Sequence, residues 1–291
     1  MSPYIQSLRL RTLPLSVAGI ILGSGLAYQA GSFQWSVFSL AFVTALCLQI
    51  LSNLSNELGD AQKGTDTDQQ GRAAYGLQAG TITEQQMKKM IGLFIGLCVF
   101  FGAALVWCAF CGEDQIVNTK SEIINSLSFL GLGLLAIIGA MTYTLGKHSY
   151  GYMGLGDLGV FIFFGLASTW GAYYLQTQTM NWEVFWCGIA IGLPCVGVLN
   201  VNNIRDMTND QKHGKRTFAG WLGQTGGRIY HSCLLIGCLS IFTLFGHWWV
   251  LCILPIWVWH LWYIWTHRQN LDKQMPVLMF STLVVAILAL F

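Results

Sequence analysis

The sequence predicts an all-α membrane protein in which nine transmembrane helices surround a central cavity, as one domain over residues 1–291. Three observations lead there. The first is composition: 54% of the 291 residues are hydrophobic and only 10% charged, where an ordinary soluble chain carries roughly a quarter charged. The mean hydropathy of +0.54 agrees. The second is a series of nine apolar runs, at about 13–30, 36–56, 89–110, 125–146, 158–176, 184–204, 229–246, 248–266 and 275–291, each near the roughly 20 residues that cross a bilayer. The third is charge placement. If the runs cross alternately, 14 of the 15 Lys and Arg residues fall on one side, with only Lys120 on the other. Such a bias places the N-terminus and the 2–3, 4–5, 6–7 and 8–9 connections in the cytoplasm.

The runs can be taken in order. The first follows Arg9 and Arg11, shows no small-residue cleavage site that stands out, and leads into further apolar runs, so it reads as a span rather than a cleaved leader. The second and sixth end in the two polar stretches discussed below. The fifth opens in the glycine-dense GYMGLGDLG, and little more than Gly246-His247 separates the seventh from the eighth. The Trp-rich region 248–265 reads as interfacial belt and lipid-facing packing. The nine cysteines lie scattered through apolar runs, an odd count with no disulfide framework. Cys108 and Cys111 read as two small apolar residues of a span. The six histidines form no cluster in the sequence, and His213 reads as a loop residue.

The chemistry-bearing stretches are NLSNELGDAQKGTDTD, from Asn53 to Asp68, and VNNIRDMTNDQKHGKRTFAG, from Val201 to Gly220. On a helix, Asn202, Asp206 and Asp210 form one stripe, and Asn53, Asn56 or Glu57, and Asp60 fall on one face. Asp66 lies past Gly64, where the helix is expected to fray. The spacing Asn56-x-x-x-Asp60 is echoed by Asn202-x-x-x-Asp206. The stretches follow the second and sixth spans, as in a diverged repeat of about four spans that would face the acids across one cavity. Carboxylates at a membrane edge are expensive unless compensated. Clustered with amides they suit a hard cation such as Mg²⁺, which takes oxygen ligands and is typically shared with substrate phosphate. Lys63, Arg72, Arg205, Lys212, Lys215 and Arg216 stand beside them. Acid alternating with base suits a metal-bound phosphate or diphosphate better than a cation channel.

Four pieces of sequence resemble the UbiA-type intramembrane prenyltransferases. Within that family the chain is most similar to the 1,4-dihydroxy-2-naphthoate polyprenyltransferases of menaquinone synthesis. The pattern N-L-x-N-[DE]-x-x-D-x-x-x-G-x-D is met from Asn53 to Asp66, and N-N-x-R-D-x-x-x-D-x-x-x-G-K-R-T from Asn202 to Thr217. RTLPLSVAGIILGSGLA resembles the family's opening span, and the stretch from Tyr150 to Gln176 its Phe-rich fifth span. Glu57 and Asp157 stand where the family more often has Asp and Glu, and YTLGKH lacks the Gly-Gly-Pro that often follows Tyr-Thr.

The resemblance implies transfer of a polyprenyl group from polyprenyl diphosphate to 1,4-dihydroxy-2-naphthoate with decarboxylation, giving demethylmenaquinone. It implies Mg²⁺ on Asp60, Asp66, Asp206 and Asp210, charge sharing by Lys63, Arg72, Lys215 and Arg216, and ligand orientation by Asn56 and Asn202. Tyr143 is the candidate to stabilise an allylic cation through its ring, although an interfacial tyrosine is the plainer reading. Asp157 is the candidate to organise the acceptor or ionise its phenol, with a helix N-cap as the alternative. The expected setting is the cell (inner) membrane, with the lipid bilayer as a partner, a cytoplasmic active site and no nucleic acid. A prenyltransferase of 4-hydroxybenzoate, homogentisate or a haem-type acceptor is the nearer alternative. A cation-coupled transporter is the distant one, since a transport path should leave ionisable residues within the spans.

Overall fold

The computed structural model describes residues 3–65, 76–111, 120–267 and 270–291. Among them are nine helices long and apolar enough to cross a membrane: Pro3–Gln29, Trp35–Lys63, Glu84–Phe110, Ser121–Thr142, Gly156–Thr177, Trp182–Lys212, Phe218–Leu244, Trp248–Thr266 and Leu271–Leu288. They are called the first to ninth spans in that order. The chain is nearly all helical, as expected.

Local chemistry sets the boundaries. The third span begins in a capping box, in which Gln86 N–H donates to Thr83 Oγ1 at 3.2 Å and Thr83 N–H to Gln86 Oε1 at 2.8 Å. Asn181 caps the sixth span and Thr217 the seventh, accepting from Glu183 N–H and Gly220 N–H. The seventh span starts earlier than its apolar run because Phe218–Leu244 is continuous across a kink at Gly223. The first span is jointed at Arg9, whose φ is 50°. The fifth carries a π-helical segment, Phe161–Ala167, a widened turn of the kind found at functional sites.

The first span packs on the second and the second on the third; the fifth packs on the sixth and the sixth on the seventh. The second and sixth spans are thus equivalent in their halves, as the echoed stretches suggest. The sixth span is central, and one core gathers around Ile191, Cys195, Val198 and Val201, with Leu22 of the first span, Leu235 of the seventh, Trp257 of the eighth and Leu278 of the ninth. Smaller cores join the second and third spans. All nine cysteines are free.

The histidine reading needs a correction. His231 and His260, far apart in sequence and fully buried, meet Nε2 to Nε2 at 2.9 Å, and His260 Nδ1 lies 2.8 Å from Gln274 Oε1. Each occurs once in its own span, so only the packing of the seventh, eighth and ninth spans brings them together.

Candidate active site

Both acidic stretches are helical well beyond their apolar runs. The second span continues to Lys63 and the sixth to Lys212. Each then ends on a glycine in the left-handed region, Gly64 at φ 70° and Gly214 at φ 72°, where a Cβ would be strained. In both, a backbone N–H beyond the glycine closes back onto an aspartate carbonyl: Thr65 onto Asp60 at 3.2 Å and Lys215 onto Asp210 at 2.8 Å. The shared D-x-x-x-G pattern is therefore a helix end. It corrects the sequence register, because the equivalent of Asp60 is Asp210, and that of Asn56 is Asp206.

The faces of the second span also differ from expectation. Ser52, Asn56 and Asp60 line a central cavity of about 760 Å³. Asn53 and Glu57, one residue on, turn away. Asn53 Nδ2 donates to Leu8 carbonyl at 2.9 Å, and fully buried Glu57 accepts from Leu77 N–H at 2.7 Å and Ser7 Oγ at 3.2 Å. A helix advances about 100° per residue, so one stripe serves the cavity and the other fastens the N-terminal segment.

The sixth span behaves as its spacing predicts, with Asn202, Asp206 and Asp210 on the same cavity wall. Arg205 grips Asp206 at both oxygens, Nε to Oδ1 at 2.8 Å and Nη2 to Oδ2 at 2.7 Å, and also bonds Asn202 Oδ1 and Asp272 Oδ1. Lys215 Nζ lies 3.4 Å from Asp210 Oδ1. The other oxygen, Asp210 Oδ2, is buried with no hydrogen-bond partner among the described residues, an expensive condition for a carboxylate. An orphaned carboxylate oxygen on the same cavity wall as Asp60, Asp206, Asn56 and Asn202 offers hard oxygen donors of the kind Mg²⁺ takes together with substrate phosphate. Among the described residues, no three acidic, histidine or cysteine side chains are gathered closely enough to hold a metal by themselves.

The connection between the fourth and fifth spans joins the two stretches. Tyr152 O–H donates to Asp60 Oδ1 at 2.9 Å, and its oxygen lies 2.9 Å from Thr65 Oγ1. Its carbonyl accepts Arg216 N–H at 3.1 Å. Thr144 O–H lies between Ser55 carbonyl and Asn56 Oδ1, at 3.0 and 3.1 Å. That approach depends on Gly59, where a Cβ would sit 2.6 Å from Thr144 Oγ1. Burial raises the phenol pKa of Tyr143 well above its ordinary value, pushes that of Tyr150 to about 12, and raises that of Tyr152 further. All three therefore stay O–H donors at neutral pH.

Other candidates are placed as follows. Tyr143 is on the cavity wall, edge-on to Tyr150 at 5.3 Å between centroids. Lys63 is turned aside: its Nζ donates to Thr144 carbonyl at 2.7 Å and to Ser149 Oγ, and sits 3.7 Å above the Tyr152 ring. Arg216 is exposed at a small surface depression with Gln211 and Trp221, outside the central cavity. The helix end at Gly214 points Lys215 inward and its neighbour outward. Asp157 is neither a side-chain cap nor a cavity-wall residue; its Oδ2 accepts from Tyr230 O–H at 3.1 Å. His213 is a helix-end residue bonded to Asn209 carbonyl. Asp66 and Arg72 lie outside the described residues. The sequence had offered Arg9 and Arg11 only as topological charges, yet both line the cavity, as do Gln49 and Asp272. The side chains of Tyr152 and Asp272 were missed altogether.

Acids, amides and bases thus meet at one end of a cavity walled elsewhere by apolar residues such as Val106, Ile137, Phe163 and Leu175. Such a site can hold a charged head and an apolar body together. The UbiA prenyltransferase family profile matches residues 16–286, and the chain belongs to that family. Over 246 residues it is 43% identical to the 1,4-dihydroxy-2-naphthoate octaprenyltransferase of Escherichia coli (strain K12), covering 84% of this chain and 77% of that one. It is 40% identical to the enzyme of the same name from Haemophilus influenzae, covering 81% and 74%. Among solved structures, the apo UbiA homolog from Aeropyrum pernix K1 superposes with a TM-score of 0.67 at 15% identity, over 97% of this chain and 96% of that one. A UbiA homolog from Archaeoglobus fulgidus bound to DMAPP and Mg²⁺ gives 0.62 at 13% identity, over 98% and 86%. At those identities the likeness is one of fold.

Proposed function

We propose that this chain transfers a polyprenyl group from its diphosphate to 1,4-dihydroxy-2-naphthoate. The ring carboxylate leaves as carbon dioxide, and the product is the hydroquinone form of demethylmenaquinone. The observation that carries this reading is the pair of acid-bearing helix ends facing one partly apolar cavity. The relatives' names supply the acceptor.

On this reading Asp60, Asp206 and Asp210 hold Mg²⁺, with Asn56 and Asn202 beside them and Asp66 as a further expected ligand. When bound, the metal supplies charge to hold the diphosphate and stabilise it as it departs. Lys215 adds a cation at the same end, and Arg72 is expected to join it. Tyr152 holds Asp60 in place. As the bond between the prenyl carbon and the diphosphate oxygen breaks, the electron pair leaves with the diphosphate. The resulting allylic cation lies beside the Tyr143 ring, whose face attracts positive charge where water is excluded. The electron-rich acceptor ring forms the new carbon–carbon bond at its carboxylate-bearing carbon. Loss of carbon dioxide returns the electron pair to the ring and restores aromaticity, so no protein nucleophile is needed. The long apolar tail stays with the bilayer. The charge bias supports a site on the cytoplasmic side, and the expected membrane on this reading is the cell (inner) membrane.

The test is to incubate purified protein with Mg²⁺, polyprenyl diphosphate and a panel of aromatic acids, and to weigh the products. The naphthoate should be prenylated with loss of carbon dioxide. Prenylation of 4-hydroxybenzoate instead would reassign the acceptor.

A further inference from the structure

Arg205 is held between two carboxylates that belong to different parts of the chain. Its bidentate grip on Asp206 keeps both oxygens of a carboxylate occupied. Its Nη1 meets Asp272, from the turn that opens the ninth span, and rests 3.8 Å from Met275 Sδ. A metal and a guanidinium compete for the same oxygens. The carboxylate has about four lone-pair sites, so a metal arriving at Asp206 draws on charge and lone pairs that Arg205 now shares. A mostly buried guanidinium whose hold is weakened needs another carboxylate besides its bond to Asn202.

The turn bearing Asp272 is firmly seated. Leu271 is 1% exposed and Gln274 is also 1% exposed, and Gln274 is bonded to His260 within the buried histidine pair. Asp272 itself has a half-exposed side chain on the cavity wall. The ninth span therefore presents a carboxylate at a fixed place beside the second acidic stretch. This also gives the His231–His260–Gln274 network a purpose, since it anchors the turn.

We propose that Asp272 is a positioning residue: it retains Arg205 when Asp206 passes from the guanidinium to the metal. The inference rests on the metal-holding role proposed for Asp206. Without the Asp272 charge, Arg205 has Asp206 as its remaining carboxylate and competes with the metal at full strength. With Asp272 present, the guanidinium keeps a partner after the exchange and stays at the edge of the diphosphate site.

The test is a double-mutant cycle read by Mn²⁺ affinity rather than turnover. The full-length protein, in nanodiscs with inorganic diphosphate, is titrated with Mn²⁺ and followed by electron paramagnetic resonance. Asp272→Asn should weaken Mn²⁺ binding about tenfold, the scale seen when a group that orients a metal ligand is lost. Asp272→Glu should restore most of that loss. In an Arg205→Gln background, Asp272→Asn should change the affinity by less than about twofold, because the residue through which it acts is gone. An equal loss in both backgrounds would show plain removal of charge and overturn the proposal, as would unchanged affinity for Asp272→Asn alone. Should Asp272→Asn fail to fold, Asp272→Ser in the two backgrounds measures the same coupling. Asp206→Asn separates the levels. If it leaves Mn²⁺ binding intact, the metal reading itself fails; if it weakens binding while Asp272 variants are silent, only this inference fails.

Discussion

Asn209 donates from Nδ2 to the backbone carbonyl of Thr65 at 2.8 Å, so the last turn of the sixth span is tied to the cap that ends the second. Two connections joined in this way must lie on the same side of the membrane, which agrees with the lysine and arginine bias. Single cysteines at 70 and 212, in a background stripped of the nine native ones, should react with an impermeant thiol reagent from the same, cytoplasmic face. Cysteines at 118 and 291 should react from the other. Labelling of 70 and 212 from opposite faces would separate the two stretches and dismantle the site.

Neighbours on the second span should fail in different ways. Asn56 faces the cavity and Glu57 the N-terminal segment. Asn56→Ala should raise the Mg²⁺ concentration needed for half-maximal activity, with thermal stability little changed. Glu57→Ala should lower stability by about 1.5–3 kcal/mol, the worth of hydrogen bonds to a charged group, and act on Mg²⁺ demand only indirectly. Thermal unfolding in detergent and a metal titration on each variant distinguish them. The reverse pattern would mean that the two faces have been exchanged.

Tyr152→Phe removes the hydroxyl that holds Asp60 at 2.9 Å and leaves the ring under Lys63. Loss of one hydrogen bond to a carboxylate should lower kcat/KM by about tenfold to a hundredfold without unfolding the protein. An unchanged kcat/KM would show that Asp60 needs no such support.

Asp60→Ala and Asp206→Ala should each lower kcat by about a hundredfold or more, since they remove stabilisation of charge as the diphosphate departs. Asp68→Ala, outside the motif, should cost much less. Steady-state rates with and without EDTA provide the check. Full activity in EDTA, or in Asp206→Ala, would exclude the metal role.

Much of this was legible from spacing. The nine apolar runs, the cavity-facing stripe Asn202–Asp206–Asp210 and the approach of two acidic stretches all follow from periods that a helix imposes. What was not legible depended on three-dimensional meetings. Asn53 and Glu57 carry the same chemistry as their neighbours, and only the fold turns them away from the cavity, into buried bonds with the N-terminal segment and Leu77. The echo of Asn56-x-x-x-Asp60 in Asn202-x-x-x-Asp206 suggested one register, but Gly64 and Gly214 end the two helices four residues after Asp60 and Asp210, and that shifts the register between the halves. Tyr152 was hidden among many tyrosines, and Asp272 stood alone at the start of a span. His231 and His260 carried no mutual spacing signal because different helices supply them. Asp157 drew notice through its glycines, yet Tyr230 of the seventh span takes its carboxylate.

The central claim is that the acceptor loses its carboxylate from the carbon that gains the prenyl group. Acceptor labelled at the carboxylate, turned over by the purified enzyme with polyprenyl diphosphate and Mg²⁺, measures it most directly. One equivalent of labelled carbon dioxide should appear for every prenyl group transferred. Label retained in a prenylated product would place the new bond elsewhere on the ring and contradict the account.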